Sequence, residues 1–215
     1  MKSRKLFDQN CRECPRLSDF LDKVGEEYPD YHARPVAPFG DSSAHFLIVG
    51  LAPGIHGANA SGRPFTGDHA GILLYQTLYQ YGFSNQAEAL SADDGLTLTN
   101  CRITNAVKCL PPQNKPTTAE IKTCNTFLLA ELNSLPDNSI VLALGKIAHD
   151  AVLRAMDKRL SAYTFAHAAR HQLGRFELFD SYHCSRYNTQ TRRLTTDMFA
   201  QVFEDIRQAL SEMPA

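Results

Sequence analysis

No apolar run in these 215 residues approaches the ~18 that a membrane-spanning helix requires, so an integral helical membrane protein is excluded. The start, Met1 to Asp8, lacks the apolar core of a secretory signal, and a cytoplasmic protein is the expectation. A charge excess is missing as well. The net charge of −1 gives no overall pull toward nucleic acid. There is no internal repeat and no low-complexity segment, which argues against a solenoid. Neither nucleotide-loop fingerprint occurs, whether Gly-x-x-x-x-Gly-Lys-Ser/Thr or Gly-x-Gly-x-x-Gly.

What is present suits one domain, residues 1–215, long enough to bury its own core. Charge is unevenly placed: residues 154–193 hold eight Lys/Arg against three Asp/Glu, while residues 1–100 hold eight against twelve. A basic C-terminal face fits phosphate contact, with ordinary solvated surface as the alternative.

Strand-like and helix-like segments alternate. Strands are expected at about 45–50, 101–107, 139–144 and 175–179. Helices are expected at about 70–81, from Thr117 onward, after Gly145, and at 191–211. Thr117-Thr-Ala-Glu120 has the form of a capping box, and Ile121, Cys124, Leu128 and Leu132 share one face of the helix it opens. Residues 19–44, with Pro29, Pro35 and Pro38, read as irregular, and the acidic stretch 83–98 reads as a connector. The alternation predicts a three-layer α/β/α sandwich around a central four-stranded parallel sheet.

Gly50 to Asp68 links the first strand to a helix and carries four further glycines at 54, 57, 62 and 67. A long glycine-rich loop at the carboxyl end of a parallel strand is a usual place for a site. Asn105 falls near the end of the second strand and Tyr182-His183-Cys184-Ser185-Arg186 after the fourth. These loops share one edge of such a sheet, so Asp68, Asn105 and His183 can converge on one crevice. A carboxylate orients water, an amide reads a planar polar edge, and an imidazole donates to a developing oxyanion. Helix capping by Asp68, a turn tie by Asn105 and a half-buried structural His183 are the plainer alternatives.

Six cysteines occur, at 11, 14, 101, 109, 124 and 184. In a cytoplasmic setting metal ligation or chemistry is a better reading than disulfides. Cys11-Arg-Glu-Cys14-Pro15 can clamp a metal from a tight turn, and Cys109 and Cys124 offer two more thiolates. Four such ligands suit zinc or a [4Fe–4S] cluster, and either would tie the N-terminal segment 1–40 to the sheet.

These motifs together resemble the uracil-DNA glycosylases, most of all their type B, or family 5, branch. Gly50-Leu-Ala-Pro-Gly54 with Gly62-Arg-Pro-Phe-Thr-Gly-Asp68 resembles that branch's first motif. Thr104-Asn-Ala-Val-Lys-Cys109-Leu-Pro-Pro112 resembles its middle motif, and Tyr182-His-Cys-Ser-Arg186 with Asn188-Thr189 its His-Pro-Ser motif.

The resemblance implies a monomeric, monofunctional glycosylase of bacterial or archaeal type. It would release uracil, and other deaminated bases, flipped out of DNA. Leu51, Ala52 and Gly54 would line the base pocket, Phe65 would stack on the base and Asn105 would read its polar edge. Asp68 would handle water, since Leu51 and Ala52 are apolar, and His183 would face the uracil O2. Ser185, Arg186 and Asn188 would contact DNA. Cys11, Cys14, Cys109 and Cys124 would hold a [4Fe–4S] cluster, with zinc as the alternative. The chain departs from the family pattern at Cys184, where proline is usual; this loosens the loop and adds a thiol beside the site. A non-catalytic lesion-binding protein and a small-nucleotide-binding protein are the readings of a different class.

Overall fold

The computed structural model describes residues 6–212. Met1 to Lys5, part of the Met1 to Asp8 stretch behind the leader expectation, and the last three residues of the 1–215 domain lie outside the described residues. The chain forms α1 (Pro15–Glu27), β1 (Phe39–Gly40), β2 (Phe46–Gly50), α2 (Ala58–Ser61), α3 (His69–Gln80) and β3 (Cys101–Asn105). Then come α4 (Thr118–Ser134), β4 (Ser139–Leu144), α5 (Lys146–Ala155), β5 (Arg170–Leu173), β6 (Phe176–Ser181), α6 (Arg186–Gln190) and α7 (Thr196–Ser211).

The sheet has six strands in the order β1-β3-β2-β4-β6-β5. The four expected strands are β3, β2, β4 and β6, and their pairings are all parallel. The expectation of a four-stranded sheet is corrected by two antiparallel edges, β1 on β3 and β5 on β6. Both edges escape apolar patterning. The first is two residues long, and the second is Arg-His-Gln-Leu, with only Leu173 buried.

β2 and β4 are buried at every position, which is why they read as continuous apolar runs. One core layer packs Leu74, Tyr75 and Leu78 of α3 with Phe199, Val202, Phe203 and Ile206 of α7. The opposite layer packs Ile121, Leu128 and Leu132 of α4 with Ala148, Ala151 and Val152 of α5. The three-layer arrangement follows. Among the described residues, no helix is long and apolar enough to cross a membrane.

Two further expectations change. Residues 15–27 form a helix where irregular chain was expected: Pro15 occupies its first turn, and Leu17, Leu21 and Val24 share its buried face. The later prolines act only after it has ended. The closing helix begins at Thr196 rather than 191, because Thr195 caps it and the short α6 precedes it. The capping box at Thr117 and Glu120 is fully formed.

Candidate active site and cysteine pocket

β2 sits between β3 and β4, so the chain leaves it first to one side and then to the other. Such a reversal opens a crevice at the carboxyl ends of the strands. Here that crevice is a cleft of about 390 Å³, within the range of small-molecule sites. Leu51, Ala52, Gly54, Phe65, Asp68, Asn105, His183, Ser185 and Arg186 all line it, so nearly every residue expected from sequence meets there. Asn188 is the exception. Its amide donates to the His183 carbonyl at 2.8 Å, which puts it behind the loop that carries His183.

Gly50 and Asn105 are register partners at the ends of β2 and β3. A β-carbon at Gly50 would collide with the Asn105 side-chain oxygen and, at 2.7 Å, with the Phe65 ring. Glycine at the strand end thus lets the amide and the aromatic ring come together. Asn105 is buried, and among the described residues no protein group bonds its side-chain amide, which leaves it available to a ligand.

Phe65 has a positive φ of 58°, a strained conformation for an aromatic residue. Its neighbours hold it there. Tyr75 donates its hydroxyl proton to the Pro64 carbonyl at 2.7 Å, and Gly71 admits the Phe65 carbonyl where any β-carbon would clash. The Phe65 and His183 rings lie near-parallel, with centroids 6.0 Å apart and planes at 27°.

Asp68 occupies the N-cap position of α3 but does not cap it. Its carboxylate turns back to accept the Ala58 N–H at 3.1 Å. Space for that turn comes from Gly54 and Gly57, where β-carbons would strike the carboxylate. Burial raises the Asp68 pKa, and the Ala58 hydrogen bond opposes that only in part. Burial lowers His183 to about 4, so its ring is neutral near pH 7. A half-buried carboxylate and a neutral imidazole lining one cleft can orient water and donate to an oxyanion. Gly145, at φ 92°, follows β4, and a β-carbon added there would stand only 3.4 Å from that of His183, so this strand end lies beside the His183 loop.

Ser185 caps α6, and Arg186 stands exposed at the mouth of the cleft. Cys184 is fully buried in the core layer and pushed up to about 12 by that burial. Its thiol does not line the cleft, but Asp68 is near enough to add to the rise, so the thiol stands beside the site behind its wall. The sequence reading missed His69 and Asn114, which also line the cleft. It missed Arg63 too. That buried guanidinium bonds both oxygens of Asp94 at 2.7 and 2.8 Å and the Thr66 hydroxyl at 2.7 Å, anchoring the loop under Phe65. The acidic run Asp93-Asp94 read as a connector because the partner lies 31 residues away.

Cys11, Cys14, Cys109 and Cys124 line a second, smaller pocket closed by Leu17, Pro35 and Phe127. Cys14 is the N-cap of α1, Cys109 follows β3, and Cys124 projects from the buried face of α4. The Lys108 N–H donates to the Cys124 sulfur at 3.3 Å. Burial raises the pKa of Cys109, of Cys124 (to about 11) and of Cys14, and neighbouring cysteines add to each rise. Such thiols become thiolates only when a cation offsets them. Four thiols gathered in one apolar-walled pocket are a donor set that suits a thiolate-held metal centre.

The family described as the uracil DNA glycosylase superfamily matches residues 37–207. A type-5 uracil-DNA glycosylase of Thermus thermophilus is 45% identical, over 95% of this chain and 97% of that protein. One from Pyrobaculum aerophilum is 39% identical, over 90% and 86%. A type-4 uracil-DNA glycosylase of Archaeoglobus fulgidus is 30% identical, over 69% and 61%. With the motifs gathered in one cleft and the match running through nearly all of the sheet, this chain belongs to the uracil-DNA glycosylase superfamily and, within it, to the type-5 branch.

Proposed function

We propose that the chain hydrolyses the N-glycosidic bond of uracil, and of other deaminated bases, flipped out of DNA, as a base-excision repair glycosylase acting as a monomer in the cytoplasm. The observation that carries this reading is the convergence of Phe65, Asn105, Asp68 and His183 on one base-sized cleft. Phe65 stacks on the base and the free Asn105 amide reads its polar edge, while Leu51, Ala52 and Gly54 wall the pocket. The base leaves as an anion. Neutral His183 donates to the oxygen where that charge grows, a contribution of about 10²–10³ in rate for one such donor. Asp68, ionised, stabilises the cationic sugar and orients the water that captures it. Arg186 at the mouth meets backbone phosphate, and Ser185 shapes the turn that presents it.

No lysine lines the cleft among the described residues, and the buried Lys108 amine is engaged by Glu131 and the Asn105 carbonyl. This supports simple hydrolysis without a Schiff base, hence without strand cleavage. Cys11, Cys14, Cys109 and Cys124 would hold a [4Fe–4S] cluster. When bound, it supplies metal–thiolate bonds that fasten the segment around α1 to the sheet. Iron and sulfide analysis of anaerobically purified protein, with absorbance near about 400 nm, checks the cluster against zinc.

The test of function is release of free uracil from a uracil-containing oligonucleotide by excess enzyme, with Asp68→Ala alongside. Release by the wild type, reduced about 10²-fold or more in the variant, is expected. Binding of the lesion without release would make the chain a lesion-binding protein. Undiminished release by Asp68→Ala would remove the carboxylate from its role.

A further inference from the structure

Lys108 is 2% exposed, and its partner Glu131 is 1% exposed. A buried ion pair contributes little net stability over an apolar pair of similar size, so its presence asks for another account. The Lys108 ammonium meets Glu131 Oε1 at 2.5 Å, the Thr104 hydroxyl, and the backbone carbonyl of Asn105 at 2.9 Å. That carbonyl belongs to the last residue of β3, in the final register pair with Gly50. Beyond it the chain turns away, with Ala106 and Val107 donating back to the Gly50 and Leu51 carbonyls. The ammonium thus fixes the peptide from which the Asn105 side chain enters the cleft. The backbone of Lys108 makes two further contacts: its N–H donates to the Cys124 sulfur, and its carbonyl accepts the Val36 N–H. One residue therefore joins the cleft, the cysteine pocket and the segment leading to β1.

We propose that Lys108 is a positioning residue for base recognition: its ammonium, neutralised by Glu131, fixes the Asn105 peptide and so aims the Asn105 amide at the extruded base. The inference rests on the reading of Asn105 as the base-contacting amide. Its magnitude follows from geometry, since a misplacement of about 1 Å at a reacting or recognising group costs up to ~10²-fold in rate.

The experiment compares Lys108→Met, the double variant Lys108→Met/Glu131→Met, and both on an Asn105→Ala background. It reads uracil release (kcat and KM), melting temperature, and iron content with visible absorbance. Lys108→Met leaves the buried Glu131 carboxylate with only the Thr104 hydroxyl and the more distant Arg102, 4.0 Å away, and lowers the melting temperature. The double variant removes both charges of the pair, leaves Arg102 to the solvent it already reaches, and recovers most of the loss; if the single variant does not fold, the double carries the test. With stability and iron content restored, kcat/KM of the double variant stays at least about tenfold below wild type. On the Asn105→Ala background the same two substitutions cost nothing further. Recovery of kcat/KM together with stability would overturn the inference, as would a deficit that multiplies fully with that of Asn105→Ala. An Asn105→Ala enzyme with undiminished kcat/KM would instead overturn the base-contact reading, and this inference with it.

Discussion

Asp68 keeps its carboxylate in the cleft because Gly54 and Gly57 leave room for it. A β-carbon at Gly57 would overlap the carboxylate group itself. Gly57→Ala is therefore expected to displace Asp68, and because Gly57 sits at φ −110° and ψ −108°, outside the regions open to an L-residue, to strain the loop backbone as well. Uracil release falls about tenfold or more, by the same sensitivity to misplacement, with a native-like circular dichroism spectrum and a lowered melting temperature. Full activity in that variant would mean that the carboxylate works from another position. The pH dependence has a defined sign. Burial raises the Asp68 pKa, so the acid limb of kcat sits above the ordinary carboxylate value near 4. His183, held down at about 4, contributes no limb of its own between pH 5 and 8. At this scale the sequence was most readable. Phe65, Asp68, Asn105 and His183 announced their place, in the loops and strand ends along one edge of the sheet. The glycines announced only flexibility, because what they make room for comes from elsewhere in the chain.

Elements were legible where burial is two-sided or amphipathic, except α1, whose stripe was hidden by the prolines that follow it, and illegible where pairing is local and polar. The fully buried β2 and β4 and the stripe of α7 follow from residue pattern. The two edge strands do not, since backbone pairing alone makes them. The loop from Gly50 to Asp68 is held by a contact that no local pattern reveals, the pair between Arg63 and Asp94. Their side chains are 4% and 11% exposed, and Arg63 also lies over the Phe39 ring at 5.0 Å. The guanidinium lowers the Asp94 pKa well below the usual carboxylate range, with the Leu96, Leu90 and Ser91 N–H groups assisting. Arg63→Met is expected to destabilise by about 3–5 kcal/mol, because a buried carboxylate loses its partner. Arg63→Met/Asp94→Leu should recover most of that loss. Urea unfolding of the three proteins checks it, and a double variant no better than the single would show that the ion pair does not act as a unit. A depressed carboxylate pKa stabilises above the unfolded value near 4, so this contribution disappears as acid protonates Asp94.

Across the whole molecule, one buried cluster ties α5, the β5–β6 edge and the chain before β5 into a single body. His149 accepts a constraint from each side. Its Nε2 lies 3.0 Å from the Tyr163 carbonyl, and its Nδ1 lies 2.8 Å from Asp180 Oδ1. A carbonyl and a carboxylate oxygen both accept, so each ring nitrogen must carry a proton, and the ring is an imidazolium. The second Asp180 oxygen takes the His171 Nε2 at 3.1 Å. The shift agrees: burial works against the charge, but the hydrogen bond and charge of Asp180 outweigh it, with Tyr163 and Asp150 assisting, and the pKa is raised. A raised histidine contributes stability that is fully present below the unfolded pKa near 6.5 and lost as pH rises through the folded value. His183 acts oppositely: its pKa is lowered, so its penalty grows as pH falls from about 6.5 toward 4. The melting temperature is thus expected to decline as pH rises above about 6.5, through a component that His149→Gln abolishes. A His183→Gln variant should keep that component while losing part of the acid-side decline. Melting curves from pH 5 to 9 on the three proteins decide it. A wild-type curve that runs parallel to that of His149→Gln above pH 6.5 would mean that the His149 ring is not charged in the folded protein.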